Sequence, residues 1–300
     1  MKTDDWKYSK KAKLLNPIDD DFFKKMAEDK EFCEEILRVI LQDESLTVED
    51  VISQNSIKNL QGRSVVLDAL CKMADGSFAH VEVQKENDDD HVKRVRYNSS
   101  CITANISDVG IKFKDVPNVY VIYISKSDIF HGGLTLYHVD SVIRETGTII
   151  DDGLYRVFVN ATVKDDSDVS KLMDIFTKND TYDFEKFPKT STRKKHFKID
   201  EEGRQEMSDI VREIAALERA EGRAEGRTEG RTEGKMLNLI ELAYAKINNG
   251  QSVSEISEDL LADPSLISLI FEQVTASIAS GVKISPEEIY QKIKEKESIE

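Results

Sequence analysis

Apolar residues make up most of residues 64–85, which read SVVLDALCKMADGSFAHVEVQK, and charged residues stand singly among them. β-Branched and apolar residues fill two short runs, and an Asp-Gly pair lies between them, which is the pattern of two strands joined by a tight turn. Asp68 falls in the first predicted strand, whereas Glu82 and Gln84 fall in the second. This predicted hairpin is the stretch around which the rest of the chain is organised.

The Asp-Gly turn allows two registers of the hairpin. A two-residue loop pairs Asp68 with Val83, so that Asp68 and Glu82 point to opposite faces. A three-residue loop, with Gly76 in the left-handed conformation, places Asp68 directly opposite Glu82. Gln84 then points to the same side, because side chains alternate along a strand.

We favour the three-residue loop for a chemical reason. Two carboxylates on strands about 5 Å apart repel each other unless a cation lies between them, and a buried pair would otherwise take up a proton. Mg²⁺ prefers an octahedron of oxygen ligands and keeps several waters, so two carboxylates and one backbone carbonyl suit it. The spacing alone also fits a surface hairpin with scattered charges, and this alternative stays open.

Helical periodicity on both sides of the hairpin predicts an α/β core. Apolar residues recur at helical spacing from Asp20 to Gln42, and again along a helix that opens at residues 86–90. The buried seam of that second helix is predicted to be Val92, Val95, Ser99, Ile102, Ile106 and Val109. Further strands are predicted at 56–60, 119–124, 134–139 and 154–163. The order of elements predicts an α/β sandwich around a small mixed sheet, in which 119–124, apolar on both faces, is a central strand.

The chain is predicted to turn helical after residue 165. Helices are expected from Asp168 and at 201–218, and residues 190–196 form the most basic stretch, which suits either a contact with DNA backbone or a solvated loop. We therefore divide the chain into an α/β core with extra strands, a helical extension, a repeat and a helical C-terminal region. These four parts are residues 1–165, 166–219, 220–235 and 236–300. The last part looks helix-turn-helix-like, but it is acidic and shows no basic recognition face.

The repeat at 220–235 reads AEGR, AEGR, TEGR, TEGK. On a helix its period of four puts the glutamates, the basic residues and the glycines in three separate rows. Neighbours at i, i+4 carry like charge, and each glycine costs about 1 kcal/mol relative to alanine, so this helix should not be stable alone. A row of glycines that permits close approach predicts self-association, and a flexible charged linker is the alternative.

Composition limits the function and the compartment. The net charge of −15 argues against a general nucleic-acid coat protein, although a local basic patch can still hold phosphate. Residues 1–15 are basic and predict a loose arm, with no apolar run of the kind found in a signal peptide. Three cysteines without metal-ligand spacing indicate reduced thiols, and no stretch approaches 18 apolar residues. We therefore expect a cytoplasmic protein without a membrane span.

The order of several motifs resembles that of the PD-(D/E)XK nuclease superfamily, and most closely its branch of recombination-promoting nucleases or putative transposases. Asp68, a hairpin and the sequence Val-Glu-Val-Gln match the central motif of this branch. Upstream, residues 20–24 match its D-x-x-F-K opening, and downstream, residues 94–97 match its R-x-x-Y helix. The Glu-Gly tetrads are also similar to those of the family. The resemblance implies the restriction-endonuclease-like α/β core, a DNA substrate and a divalent metal.

The resemblance also implies a set of site residues. Asp68, Glu82 and the Val83 carbonyl would hold Mg²⁺, or Mn²⁺ in its place. Gln84 stands where the superfamily usually has a lysine, and it can orient water or phosphate but supplies no positive charge. Leu67 stands in place of the proline of the superfamily's name.

Three further residues are expected to support this site. Asp20 is either a helix N-cap or a carboxylate that reaches the metal site, as the resemblance implies. Arg94 is expected to clamp a phosphate, with Tyr97 beside it, and the alternative is a solvated arginine packed on an aromatic ring.

Two functions of different classes follow. The first is a metal-dependent DNA endonuclease connected with recombination or mobile elements. The second is a nuclease-fold protein with weak or no catalysis that acts as an oligomeric binding module. Metal held by Asp68 and Glu82 favours the first function, whereas a site filled by a side chain such as Lys85 or Arg94 favours the second.

Overall fold

The computed structural model describes residues 5–53, 56–57, 65–86 and 90–297. The chain forms two compact units, Met1–Glu213 and Ile214–Glu300. The first unit contains a mixed sheet with helices, and the second is helical, so the predicted α/β class with a helical C-terminal region is confirmed. The boundaries predicted at 165, 219 and 235 stay predictions.

The first unit contains the elements that precede the long helix α7 and the first part of that helix. Its helices are α1 Asp5–Leu14, α2 Asp20–Ala27, α3 Lys30–Leu41, α4 His91–Ile106, α5 Asp168–Thr177 and α6 Pro188–Lys198. Its strands are β1 Val48–Ser53, β2 Ser56–Ile57, β3 Val65–Val66, β4 Ala69–Met73, β5 Phe78–Gln84, β6 Val119–Ser125, β7 Leu136–Val139, β8 Ser141–Ile143, β9 Thr148–Ile150 and β10 Leu154–Asn160. Helix α7, Glu201–Asn248, is followed by α8 Val253–Leu260, α9 Pro264–Ser280 and α10 Pro286–Glu297.

Six strands form one mixed sheet in the order β1-β4-β5-β6-β10-β7. The pairs β1–β4, β4–β5 and β7–β10 are antiparallel, whereas β5, β6 and β10 run parallel. Strand β6 is buried along almost its whole length, which confirms the central strand predicted from its apolar residues. Strand β1 was not predicted from the sequence, and β2 is only the start of the strand predicted at 56–60, the rest of which lies outside the described residues.

Helices pack on both faces of this sheet. Phenylalanines of α2, α3 and α5 fill one face, where the rings of Phe23 and Phe32 meet edge to face and both contact Phe176. Helix α4 covers the other face, where Val95 and Ile102 pack with the buried residues that β4 and β6 direct toward this helix. The side chains at positions 80 and 82 of β5 belong to this α4 face, because those at 79, 81 and 83 belong to the first.

The hairpin has the three-residue loop that the chemical argument favoured. Met73 N–H donates to the Ser77 carbonyl at 2.9 Å, and Gly76 N–H donates to the Met73 carbonyl at 3.0 Å. Gly76 has φ +87°, a left-handed conformation that glycine adopts without steric cost. The register pairs Ala69 with Val81, so the next pair along the two strands is Asp68 opposite Glu82. Asp68, which was predicted within the strand, is the residue immediately before β4.

Three helical predictions need correction. The basic arm is the helix α1, whose Ala12 and Tyr8 pack on the core at i, i+4 spacing. The helix predicted from Asp20 to Gln42 is two helices, because the Asp29 side chain accepts hydrogen bonds from the first N–H groups of α3 and starts a new helix. The predicted seam of α4 is confirmed at Val95, Ser99 and Ile102, which are buried, but it is wrong at its ends, since Val92 is 49% exposed and Val109 lies beyond the helix.

The basic stretch at 190–196 belongs to α6 and is neither a loop nor a wholly exposed surface. Lys194 is fully buried, and its ammonium donates to the carbonyls of Ile175 at 2.8 Å, Thr181 at 3.2 Å and Lys178. These carbonyls lie at the end of α5 and just after it, where the helix leaves its last acceptors without intrahelical donors. Lys194 therefore caps α5 and is not available to DNA.

The repeat is helical rather than a flexible linker. Helix α7 runs through it without a break, and residues 216–235 are exposed. A Cβ added at Gly222, Gly226, Gly230 or Gly234 would meet nothing within 4 Å. After α7, the predicted capping box at Ser252 and Glu255 is confirmed at the start of α8.

We expect Lys194→Met to lower the free energy of unfolding by about 3 kcal/mol, because three carbonyls lose their shared donor. Urea unfolding followed by circular dichroism measures the change. Lys195→Met is the matched control, since Lys195 is the exposed neighbour on the same helix. An equal midpoint for the two variants would contradict the role of Lys194 as a cap.

Candidate functional site

A cleft of about 400 Å³ opens at the carboxyl end of β5. It is formed by the chain after α1, the first turns of α2, the residue before β4, the end of β5 and helix α4. Its lining residues are Leu15, Asp19, Asp20, Asp21, Lys24, Asp68, Glu82, Val83, Gln84, Lys85, Glu86 and Arg94. Every residue predicted for the site lies in this cleft except Tyr97, which packs in the hydrophobic cluster under α4.

Asp68 is fixed by the main chain of the neighbouring strand. Its carboxylate is 6% exposed, and Oδ2 accepts a hydrogen bond from the Val83 N–H at 3.1 Å. The N–H and C=O of one strand residue point to the same side, so the Val83 carbonyl also leaves β5 toward Asp68. The Asp68 side chain thus binds the β5 main chain just beyond the last β4–β5 pair, at the edge of the cleft.

Glu82 is held by Asn98 and lies beside His80, two residues that were not selected from the sequence. Its Oε2 accepts a hydrogen bond from Asn98 Nδ2 at 2.7 Å, and His80 Nε2 lies 3.4 Å from the same oxygen. His80 Nδ1 is 3.0 Å from the Ala69 carbonyl, which can only accept, so this nitrogen carries the hydrogen. The other oxygen, Oε1, lies 3.9 Å from Arg94 Nη1. Glu82 therefore has one positioned oxygen and one that faces a cation.

Lys24 brings a positive charge into the cleft from α2. Its Nζ lies 2.7 Å from Asp20 Oδ2 and 3.4 Å from Asp68 Oδ1. Asp20 is the first residue of α2 and pairs with Lys24 one turn later, whereas Asp19 holds the N-cap position. The N-cap interpretation of Asp20 was therefore wrong, and its carboxylate reaches the cleft.

The acidic groups of the cleft perturb each other. Burial raises the pKa of Asp68 well above its usual range, and the negative charge of Asp20 raises it further against the opposing effect of Lys24. Burial also raises the pKa of Asp21, again with a contribution from Asp20. Burial alone would lower the pKa of Lys24, but the charges of Asp68 and Asp20 raise it on balance. The site is thus a cluster of carboxylates in need of positive charge.

Two other cations border the cleft. Arg94 is partly buried, and its Nη2 lies 3.3 Å from Asp90 Oδ1 on the same helix. Burial opposes its charge, yet the carboxylate of Asp90 raises the pKa of Arg94 on balance. Lys85 Nζ lies 2.7 Å from Asp19 Oδ1, at the rim. Arg94 therefore reaches the site as predicted, whereas Lys85 pairs outside the two central carboxylates.

Only some of the cleft residues that were not predicted have a recognisable signal in the sequence. His80 stands two residues before Glu82 on the same face of a strand, which is a usable signal. His91, Val95, Asn98 and Ile102 follow a 4, 3, 4 spacing that puts Asn98 on the buried face of α4. Lys24 follows Asp20 by one helical turn, but nothing in the sequence shows that this turn faces β4.

The donor set fits a hard divalent cation. Asp68 Oδ1 and Glu82 Oε1 face cationic side chains, while the other oxygen of each group is occupied by hydrogen bonds. With the Val83 carbonyl they offer three oxygen donors, and Mg²⁺ commonly completes such a set with waters. Within the described ranges, no three His, Cys, Asp or Glu side chains are grouped as metal ligands. The fit therefore depends on the main-chain carbonyl and on water.

A family model described as PD-(D/E)XK nuclease family transposase matches residues 17–219. The chain belongs to this family. Membership covers the sheet, the cleft and the start of α7, and it agrees with the mixed sheet flanked by helices. No curated protein and no solved structure matches the chain.

Membership of the PD-(D/E)XK nuclease family indicates a nuclease-type enzyme with DNA as its substrate. Nucleases of this family generally use divalent metals, which agrees with the oxygen donors of the cleft. Among the described residues, no helix is both long and apolar enough to cross a bilayer.

We expect Asn98→Asp to lower the free energy of unfolding at pH 7 by about 2 kcal/mol, because the amide donor becomes a second buried carboxylate facing Glu82. Adding Glu82→Gln should recover about 1.5 kcal/mol, since the new amide at position 82 can donate to the new carboxylate at position 98. Urea unfolding of the four proteins gives the interaction energy.

The control for this cycle is Asn105→Asp, at an exposed position of the same helix. Independent effects that simply add in the double variant would show that Asn98 does not hold Glu82.

Proposed function

We propose that the chain is a metal-dependent endonuclease that hydrolyses phosphodiester bonds of DNA in this cleft. The observation that carries the proposal is the placement of Asp68 opposite Glu82, both buried, with the Val83 main chain beside them. Family membership supports a nuclease and a DNA substrate. We further propose a role in recombination or mobile elements and a place in the cytoplasm, where the buried free cysteines Cys33, Cys71 and Cys101 would remain reduced.

The protein's own groups have separate roles in this proposal. Asp68, Glu82 and the Val83 carbonyl would hold Mg²⁺, or Mn²⁺ in its place. The bound metal would polarise the scissile phosphate and lower the pKa of an attacking water. Asn98 keeps Glu82 in position, and the Val83 N–H does the same for Asp68.

Lys24 supplies the positive charge that Gln84 lacks. In the superfamily pattern a lysine would stand at position 84, but here the nearest ammonium to Asp68 comes from α2. An ammonium at this place stabilises negative charge that develops on phosphate. Asp20 holds Lys24, Gln84 orients water or phosphate by hydrogen bonds, and Arg94 binds a neighbouring phosphate.

Plasmid cleavage in Mg²⁺ or Mn²⁺ tests the central pair. We expect Asp68→Asn and Glu82→Gln each to lower the rate by about 100- to 1,000-fold, because each removes a charged oxygen donor at the reacting phosphate. Asp140→Asn is the control, since Asp140 is an exposed carboxylate away from the cleft. Equal nicking by the wild type and both variants would contradict the assignment.

The role of Lys24 gives a second expectation. Lys24→Gln should lower the cleavage rate by about 100-fold, whereas Lys24→Arg should retain more activity because it keeps the charge. Adding Gln84→Lys to Lys24→Gln should recover part of the loss. Lys25→Gln, at the neighbouring lysine that pairs with Glu28, is the control. The assignment fails if Lys24→Gln and Lys25→Gln cleave at the same rate.

The second candidate function is an oligomeric binding module with weak or no catalysis. The observation that favours it is the position of Lys24 and Arg94 against the two central carboxylates, where side chains take part of the place of a metal. The exposed glycine row of α7 supplies the surface for self-association in this proposal. Self-association is equally compatible with the nuclease.

Replacing Gly222, Gly226, Gly230 and Gly234 by alanine tests self-association through the repeat. We expect a lower molar mass by light scattering, because four methyl groups block close approach, while helicity is kept or rises since alanine favours the helix. Thr228→Ala with Thr232→Ala is the control on another row of the same helix. An unchanged mass in the glycine variant would exclude association through this row.

A further inference from the structure

We propose that the groove between α1 and the start of α7 binds the sugar-phosphate backbone of DNA and leads it into the cleft. This inference rests on the proposed function, because it concerns how the same substrate is held. It assigns a task to the basic N-terminal segment, which the nuclease chemistry does not use.

Helix α1 concentrates positive charge in an acidic protein. Its ten residues contain four lysines and a single acidic residue, in a chain whose net charge is −15. All four lysines, Lys7, Lys10, Lys11 and Lys13, are exposed. Within the part of the chain that the structure describes, no carboxylate forms an ion pair with Lys10, Lys11 or Lys13. Their charge is therefore available to an external anion.

The groove beside α1 has the size and charge for a phosphate backbone. It encloses about 560 Å³ and contains one carboxylate, that of Glu201. Its other lining residues are Trp6, Ser9, Lys10, Lys13, Arg204, Gln205, Ser208 and Arg212. Lys10, Lys13 and Arg204 surround hydroxyl and amide donors, which is the mixture that contacts phosphate and sugar, whereas Arg212 is paired with Asp209 at 2.6 Å.

Packing fixes the two walls of the groove. The Arg212 guanidinium lies 5.7 Å from the centre of the Tyr8 ring, so α7 is held against the inner face of α1. Trp6 is 57% exposed at the groove, with Lys10 Nζ 6.0 Å from its ring. A flat exposed ring beside a cation suits stacking on a base or sugar next to a bound phosphate.

The groove adjoins the cleft along the chain. Lys13 lines the groove, and Leu15, two residues later, lines the cleft. Two residues span at most about 7 Å, which is about two steps of one DNA strand. Lys198 Nζ donates to the carbonyls of Lys13 at 2.6 Å and Leu15 at 2.7 Å, so this connection is held in place. The groove and the cleft are therefore neighbours at this point of the surface, so a strand bound in the groove leads to the edge of the cleft.

The features of α1 favour nucleic acid over an anionic membrane. A membrane-binding helix presents a continuous apolar face to lipid, whereas Tyr8 and Ala12 of α1 pack inward on the core. The exposed residues are the four lysines together with Trp6 and Leu14, which lie about two turns apart with Lys10 between them and form no continuous apolar face.

Fluorescence anisotropy of the full chain with a labelled DNA duplex in EDTA tests the inference without cleavage. We expect the triple variant Lys10→Gln, Lys13→Gln, Arg204→Gln to bind at least about 50-fold more weakly at 0.1 M salt. The slope of log affinity against log salt should fall by nearly 3, because each lost phosphate contact contributes about 0.9. Trp6→Ala should weaken binding by about fivefold or more without changing that slope.

The control is the triple variant Lys164→Gln, Lys171→Gln, Lys178→Gln, which removes the same charge from exposed lysines elsewhere on the first unit. We expect it to bind within twofold of the wild type. Equal binding by the two triple variants, with folded protein in both, would overturn the groove while leaving the nuclease proposal intact. No binding by the wild type at any salt concentration would instead count against the DNA substrate itself. Binding to phosphatidylserine vesicles that is lost in the first triple variant, without binding to DNA, would also overturn the inference.

Discussion

The hydrogen bond from the Val83 main chain to Asp68 fixes the arrangement on which the site depends. It extends the pairing of β4 and β5 beyond the last paired residues, and this places the Asp68 side chain opposite Glu82. A shift of the hairpin by one residue would move every side chain of one strand to the other face. The turn with Gly76 at positive φ is what selects the register, so a local backbone requirement brings the carboxylates of Asp68 and Glu82 into one cleft.

Buried like charges explain the other features of the cleft. Two carboxylates in a poorly solvated place need hydrogen bonds and positive charge to stay ionised. Asn98 supplies a hydrogen bond to one of them, whereas Lys24 and Arg94 approach their outer oxygens. The same outer oxygens suit a divalent cation, which connects the electrostatics of the cleft with the chemistry of the family.

The sequence predicted those elements whose signals are local. Strand β6 was recognised because it is apolar on both faces, and the hairpin because β-branched and apolar residues flank an Asp-Gly turn. Strand β1 was missed because its residues, VEDVIS, mix acidic and apolar residues without a clear strand pattern. It is a strand because it pairs with β4. Helix α1 was missed because its many lysines suggested a loose arm in solvent. Its inward face consists of only Tyr8 and Ala12. The break at Asp29 depends on a side-chain cap inside a continuous apolar pattern.

The candidate site shows the same limit. Asp68, Glu82, Val83, Gln84, Asp20 and Arg94 lie in one cleft, as the motifs indicated, whereas Tyr97 does not line it. Lys24, His80 and Asn98 could be recognised only once the fold was known, since three different elements bring them to the two carboxylates. The replacement of the usual lysine by Gln84 looked like a loss of charge in the sequence, but the structure provides a lysine from α2.

Diffraction from crystals soaked in Mn²⁺, with an anomalous difference map, tests whether Asp68 and Glu82 hold a divalent cation together. We expect a peak in the cleft, within about 2.0–2.4 Å of one oxygen from Asp68 and one from Glu82, with Lys24 and Arg94 moved away from these oxygens. A cleft without a peak, in which Lys24 and Arg94 stay on the two carboxylates in the presence of the metal, would contradict this expectation.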